Sequence, residues 1–438
     1  MSYAFPADLA TQVVERWNQF VSRHDHPAPP LPAPDDLRHI LETAFFASLE
    51  REEGRELQFM LCCTPDLIVR RDGPGAPVPV VPIQPARPVS VDTLRALAPA
   101  VSPTSAALLV RCPTDPGPAG RCTVAGIVNV GSNLARARSG RSFYHRPAPY
   151  ALMIDARNAG ELHVYRGGIR LASLHAGHLH DQLPVSGLEF LPISGILACG
   201  ERALRARLKP PRHEPERETS DFQWIALLNT ILSIVNGVRE RGHGGTILLV
   251  APDAKPTLPI RIKYDVDDTG SALGDRFVEF LNLRHELTDA RLQQDESAPR
   301  RAAEGALTHL QNATFVAEED LADAAELVAR LAGVDGALVL QSDLKVLGFG
   351  AEIVLDAAQP VMASEVTGHR RRSGDWLVVD SERFGMRHRS ALRCVARASN
   401  TAAFVVSQDG TVTFLWKQDD RVLLRRNVNT ANPNMIGA

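Results

Sequence analysis

The sequence predicts an α/β protein in two parts: an α+β N-terminal domain, then a C-terminal mixed β-sheet flanked by helices. Three observations predict it. Two helical patterns open the chain, and short apolar or alternating runs separated by Gly and Pro then fill residues 57–165. From Phe222 onward helix and strand patterns alternate and end in a hairpin, the mark of a mixed sheet with helices on it. Between the two lies a charged stretch, Glu201–Ser220, with Pro210-Pro211 in its middle. The domains expected are therefore 1–200, a linker at 201–220, and 221–438.

In the first part, Ala7–Phe20 reads as a short helix. Pro34-Asp35-Asp36 opens a second, running to about Glu53, with acids in its first turn. Strands follow at Leu57–Cys63, Ala106–Cys112, Cys122–Val130, Tyr150–Asp155 and Glu161–Tyr165. Dense proline between 73 and 103 predicts an extended loop. In the second part, Phe222, Ile225, Leu228, Leu232 and Val235 recur at helical spacing, and Gly242-His243-Gly244-Gly245 ends that helix. Strands are expected at Thr246–Val250 and Ile260–Tyr264, and a helix starts at Arg276. A polar, Ala-rich tract runs to about 312. Leu321–Leu331 is a helix closed by Gly333, handing over to a strand at Ala337–Gln341 with a partner starting at Leu344–Leu347. The final hairpin pairs Phe404–Ser407 with Thr411–Trp416 about Asp409-Gly410.

Composition narrows the function. The chain has 438 residues, 44% hydrophobic and 23% charged, enough for two or three ordinary cores. Its net charge of −3 disfavours a nucleic-acid or acidic-membrane surface, so any anion site must be local. The six cysteines form no C-x-x-C pair and read as buried thiols in a reducing compartment. The N-terminus lacks the basic start and apolar run of a signal peptide, and no stretch approaches the ~18 apolar residues of a membrane span. A soluble, cytoplasmic protein is expected.

Two motifs carry chemistry. Asp335-Gly336-Ala337 stands where a helix gives way to a strand. An Asp there can hold a divalent cation or accept a hydroxyl proton, and Gly and Ala let a ligand approach the backbone. A turn Asp before a strand is also common without function. Gly385-Met386-Arg387-His388-Arg389-Ser390-Ala391 gathers three cationic-capable side chains before a helix expected over Ser390–Ala398. Arginine suits bidentate phosphate recognition, and a helix start adds free N–H donors. The bland alternative is a solvated basic turn, which is the reading given to His369-Arg370-Arg371-Arg372. His175, His178 and His180, after His163, have spacing that can bind metal, but their polar setting reads as an exposed loop.

In this order, Asp-Gly-Ala after a helix, Gly-x-Arg-His-Arg-Ser-Ala, and a Val-Val-Ser strand, the C-terminal hundred or so residues resemble the diadenylate cyclase domain. That domain is shared by the DNA-integrity scanning protein and the membrane-bound cyclases of bacteria. The likeness extends more weakly back to about 221 through Gly244-Gly245-Thr246-Ile247-Leu248-Leu249-Val250, leaving 281–320 as an insertion. Leu49–Glu53, Arg87–Arg95 and Leu347–Glu352 resemble a subfamily in which a soluble sensor region precedes the cyclase.

The resemblance implies that two ATP molecules condense to cyclic di-AMP and two pyrophosphates, with Mg²⁺ or Mn²⁺, in a head-to-head dimer or larger homo-oligomer. It implies Asp335 for metal and 3′-hydroxyl, and Arg387, His388 and Arg389 for the triphosphate. Gly336, Ala337, Gly385, Met386, Ser390 and Ser407 would line the nucleotide, and Leu347 and Gly348 would lie near the adenine. The sequence departs from the pattern at Met386, where many members carry Thr, in the long segment holding Arg370–Arg372, and at Gln408, where membrane-bound members are acidic. The second reading is a degenerate domain that binds nucleotide as a sensor or scaffold. DNA binding is disfavoured by the charge and by the lack of a helix-hairpin-helix pattern after the motifs.

Overall fold

The computed structural model describes residues 3–17, 30–52, 54–65, 69, 78–102, 105–113, 121–130, 151–166, 169–175, 177–181, 193–210, 216–252, 258–266, 272–292, 300–354, 361–366, 376–408, 410–426, 428 and 430. The chain divides into two compact units, one built from the described residues up to Asp181 and one from Ile193 onward.

In the first unit, α1 (Pro6–Trp17) and α2 (Pro34–Ser48) match the two helical patterns, although α2 stops five residues short of Glu53. Two-residue strands β1 (Arg51–Glu52) and β2 (Arg55–Glu56) pair with each other. An eight-stranded sheet follows: β3 (Phe59–Thr64), β4 (Val80–Pro88), β5 (Ala106–Arg111), β6 (Thr123–Asn129), β7 (Leu152–Asn158), β8 (Glu161–Arg166), β9 (Ile169–His175) and β10 (His178–Asp181), in the order β10-β9-β8-β7-β3-β5-β6-β4. Only β3 and β5 run parallel; the other pairings are antiparallel. Helix α3 (Val91–Leu97) starts where the Ser90 hydroxyl accepts from the Thr93 N–H at 3.2 Å, an N-cap that fixes the Arg87–Arg95 segment. Leu9, Val13, Leu37, Ile40 and Leu94 of the helices bury against Leu61, Leu108, Ile154 and Val164 of one sheet face.

Two expectations are corrected here. The proline-dense stretch is not all loop, because β4 carries Pro82, Pro85 and Pro88. It lies at the end of the strand order, where a strand needs to donate to one neighbour only and proline is tolerated. The histidine tract is likewise no loop. His175 and His178 face each other in the β9–β10 hairpin, whose turn includes Gly177 at φ 72°. His163 Nε2 instead meets Glu161 Oε1 at 2.8 Å and His175 Nδ1 lies 3.7 Å from Glu161 Oε2. The expected Arg370–Arg372 loop lies outside the described residues.

In the second unit, α4 (Ser194–Arg205) occupies the start of the expected linker. The Ser342 hydroxyl donates to Ile196 O at 2.7 Å, and a Cβ on Gly200 would lie 2.1 Å from Ser342 O, so the helix seats on the chain through glycine. Lys209 pairs with Glu286 at 3.0 Å and Arg207 with Asp275, so residues up to 209 are held by this unit rather than spacing two.

Then come α5 (Glu216–Glu240), β11 (Gly245–Val250), β12 (Ile260–Arg261), β13 (Tyr264–Asp265), α6 (Ala272–Leu292), α7 (Arg300–Leu331), β14 (Ala337–Gln341), β15 (Val346–Ile353), β16 (Met362–Val366), β17 (Trp376–Asp380), α8 (Met386–Arg397), β18 (Thr401–Val406), β19 (Val412–Gln418) and β20 (Arg421–Arg425). The strand order is β12-β15-β14-β11-β18-β19-β20-β16-β17, with β13 also on β15. Pairs β11–β14 and β16–β20 are parallel in an otherwise antiparallel sheet. Central strands β14, β11 and β18 are buried along their whole length, as their continuous apolar runs require. Helix α8 covers one face, packing Leu392 and Val395 on Leu248, Val339, Val405 and Leu415. From residue 300 the polar tract is helical, so α7 runs 32 residues; its many alanines favour that. Among the described residues no helix is long and apolar enough to cross a membrane.

Candidate functional site

Strand register brings the two motifs to one edge of the central sheet. Thr246 pairs with Ala337, and Gly245 pairs with Val406. Asp335, two residues before Ala337, is thus level with Gly244, which is level in turn with Ser407. Gly244 has φ 65°, and a Cβ there would meet Val406 O at 2.8 Å, Arg387 Nη1 at 3.0 Å and Gln408 N at 3.3 Å. Glycine at 244 therefore lets the β18 turn and the Arg387 guanidinium close on the end of β11. The Gly242–Gly245 run was legible as a helix stop, but not as this close approach.

Arg387, His388 and Arg389 lie inside the first turn of α8, not before it, because the helix begins at Met386 behind the Gly385 N-cap. Arg389 N donates to Gly385 O at 3.1 Å. The first turn carries no acid. Cations at the positive end of a helix oppose its dipole, and the first N–H groups lack helical acceptors, so this end is arranged for an anion. The three side chains are held differently. Arg389 pairs with Glu382 at 2.9 Å, and Arg393 binds the other oxygen of Glu382 at 3.0 Å. His388 Nε2 lies 3.0 Å from the Thr413 hydroxyl, and its ring stacks on Phe384 at 5.6 Å. Among the described residues no carboxylate pairs with Arg387, which is exposed. Met386 is 75% exposed and Ser390 half-buried. Ser407 closes a turn, its N–H donating to Thr411 O at 2.9 Å and its carbonyl accepting from Gly410 N at 3.0 Å.

On the other motif, Asp335 and Gly336 are exposed and Ala337 is buried in the sheet. Gly336 has φ 118°, and a Cβ there would come 2.5 Å from Gly350 C, so only glycine fits. Leu347 is 4% exposed and packs in the α8 core, and a Cβ on Gly348 would strike Ile262 Cγ2 at 2.4 Å and Tyr264 O at 2.5 Å. Protein therefore closes off both positions expected near the base. Beside Asp335 lies an ion network that sequence reasoning missed. Lys263 binds Glu352 at 2.9 Å, and Arg261 pairs with the other Glu352 oxygen. The hydrogen bond that Lys263 donates to Glu352, with that carboxylate's charge and a smaller contribution from Asp335, raises the Lys263 pKa; bonds from Lys263 and Arg261 lower that of Glu352. Thr413 and Lys263 fall within expected strands and Glu382 in no motif, so no sequence signal marked these side chains as part of a site.

Among the described residues no group of three or more His, Cys, Asp and Glu side chains is placed to hold a metal ion. Asp335 offers an exposed carboxylate at the shared edge. A single carboxylate suits Mg²⁺, which keeps waters and takes further oxygens from substrate phosphates.

Comparison with known proteins bears on the first unit. Residues 26–129 match the family described as "Probable sensor domain DACNV", which is what this part of the chain is similar to. The match falls within the region expected to be a sensor. No curated protein and no solved structure matches the chain.

Proposed function

We propose that the second unit is a diadenylate cyclase regulated by a sensor in the first. The observation that carries the reading is the convergence of Asp335, Gly244, Arg387 and the α8 N-terminus on one sheet edge. ATP would lie along that edge. Arg387 and the first N–H groups of α8 would bind its phosphates and stabilise charge on the leaving pyrophosphate. Asp335 would orient the 3′-hydroxyl and accept its proton, and hold a Mg²⁺ or Mn²⁺ ion. That ion would supply charge neutralisation at the phosphates. Each 3′-oxygen forms a bond to the other nucleotide's α-phosphorus, and each pyrophosphate departs with the bonding pair. One edge binds one ATP, so the reaction requires a second copy of the chain facing the first.

A second reading, a nucleotide-binding scaffold without turnover, is favoured by one observation. His388 and Arg389 are already engaged by Thr413 and Glu382. The two readings separate on incubation of the purified chain with ATP and each metal, with products resolved by mass spectrometry. The cyclase makes cyclic di-AMP, and Asp335→Asn makes none while keeping its circular dichroism spectrum. ATP binding without product supports the scaffold, and full activity of Asp335→Asn removes Asp335 from the chemistry.

A further inference from the structure

Closing off Leu347 and Gly348 leaves the proposed nucleotide without a surface for its base. The strand beside them offers one. Tyr264, on β13, keeps 51% of its surface in solvent, and its ring stacks on Phe349 with centroids 4.9 Å apart and planes 21° from parallel. An exposed tyrosine is ordinary by itself. Its placement is not. A Cβ on Gly350 would lie 3.1 Å from Tyr264 Cδ2 and 3.5 Å from Asp335 O, so the ring and the Asp335 backbone flank the same point. Glycine at 350, with φ 64°, and at 336 keeps that point free of side chains. Phe349 fixes the ring from behind, which reduces the conformational freedom lost when a second ring stacks on it.

The spacing also fits one molecule. Tyr264 leans over β15, Asp335 lies just before β14, and Gly244 with Arg387 stands at β11, the next strand in order. Two strand spacings, about 10 Å, separate ring from guanidinium, comparable to the reach from base to polyphosphate in an extended nucleotide. Lys263 beside the ring shares Glu352 with Arg261, and the ring adds an aromatic surface to this edge.

We propose that Tyr264, backed by Phe349, is the platform on which the purine base of the nucleotide stacks. This rests on the nucleotide reading of the edge, and it assigns base recognition to a residue that none of the motifs covers. Base–aromatic stacking acts on the base alone and tolerates either hydroxyl or no hydroxyl on the ring.

The test is equilibrium binding by calorimetry of two probes to the full chain with Mg²⁺: 3′-deoxy-ATP, which cannot cyclise, and inorganic tripolyphosphate, which has no base. Wild type binds both. Tyr264→Ala weakens 3′-deoxy-ATP about tenfold or more and leaves tripolyphosphate unchanged, while Tyr264→Phe stays within about twofold of wild type for both. Unchanged binding of 3′-deoxy-ATP to Tyr264→Ala overturns the platform and leaves the nucleotide reading standing. An equal loss for both probes also overturns it, since a stacking face cannot act on tripolyphosphate. Failure of wild type to bind 3′-deoxy-ATP defeats the nucleotide reading and the platform together.

Discussion

The charged side chains in the middle strands of the first sheet and those at the second unit's site sit in opposite settings. In the first, Asp155, His163 and Arg170 lie in the middle strands and are at most 8% exposed. Each meets protein: Asp155 accepts from Arg157 Nε at 2.8 Å, and Arg170 Nη1 lies 3.4 Å from His163 Nδ1. In the second, Asp335 just before β14 and Arg387 in the first turn of α8 are exposed beside fully buried central strands. Buried charges must be satisfied by the fold, so they make one conformation definite and respond to whatever disturbs it. Exposed charges at a strand end are free to meet a ligand. On the proposed reading this is the difference between a regulatory unit and a catalytic one, and it can be broken from either side.

The largest effect is expected at the second unit's edge. Arg387→Ala, with no described carboxylate to leave unpaired, lowers cyclic di-AMP formation roughly 10²–10³-fold without moving the melting temperature. An equal loss of stability would make Arg387 a structural residue like those of the first sheet.

The next effect belongs to the first unit and depends on pH. Burial lowers the His163 pKa from 6.5 to about 4, opposed by its bond to Glu161. The contact is thus made by a neutral imidazole, with Nε2–H donating to the carboxylate. Glu161 is pulled well below the carboxylate range, because bonds from His163 and His175 outweigh a burial that alone would raise it. The unfolded chain takes up the His163 proton near 6.5 and the folded chain does not until about 4. Stability is therefore lost as pH falls through that window, by about 3 kcal/mol. Glu161 adds a loss of the same sign below its unfolded value. Thermal unfolding at stepped pH checks this; His163→Gln flattens the acid limb, and an unchanged limb assigns it elsewhere.

Asp36 is fully buried and accepts from the Arg121 N–H and guanidinium, both at 3.3 Å. Asp36→Ala lowers the stability of the first unit by about 1–3 kcal/mol, read by denaturant unfolding, and leaves the 3′-deoxy-ATP affinity unchanged. The smallest effect is at Thr413→Val, which removes the hydroxyl 3.0 Å from His388. It costs about 1 kcal/mol of stability and a several-fold drop in product formation, because His388 loses its anchor. A rise in activity would mean that the anchor holds His388 away from the substrate.

Much of the second unit was legible. Helix α5, strand β11 and the β18–β19 hairpin stood out because each is a single apolar pattern with glycine punctuation. The β4 strand was hidden because edge strands tolerate proline, and β9–β10 because buried polar pairs erase the apolar alternation that marks a strand. At the site, Asp335 and Arg387 were readable as residue types in order. The residues around them were not: Gly244 and Tyr264 come to the edge, and Glu382 and Thr413 meet Arg389 and His388, by strand register and turn geometry, which link positions far apart in the chain.

The most direct measurement is the stoichiometry of the purified full chain turning over ATP with Mn²⁺ or Mg²⁺, counting pyrophosphate and nucleotide products together. The account predicts one pyrophosphate for every ATP consumed and one cyclic di-AMP for every two. Intact ATP after prolonged incubation, or release of inorganic phosphate with ADP and no cyclic dinucleotide, would contradict it.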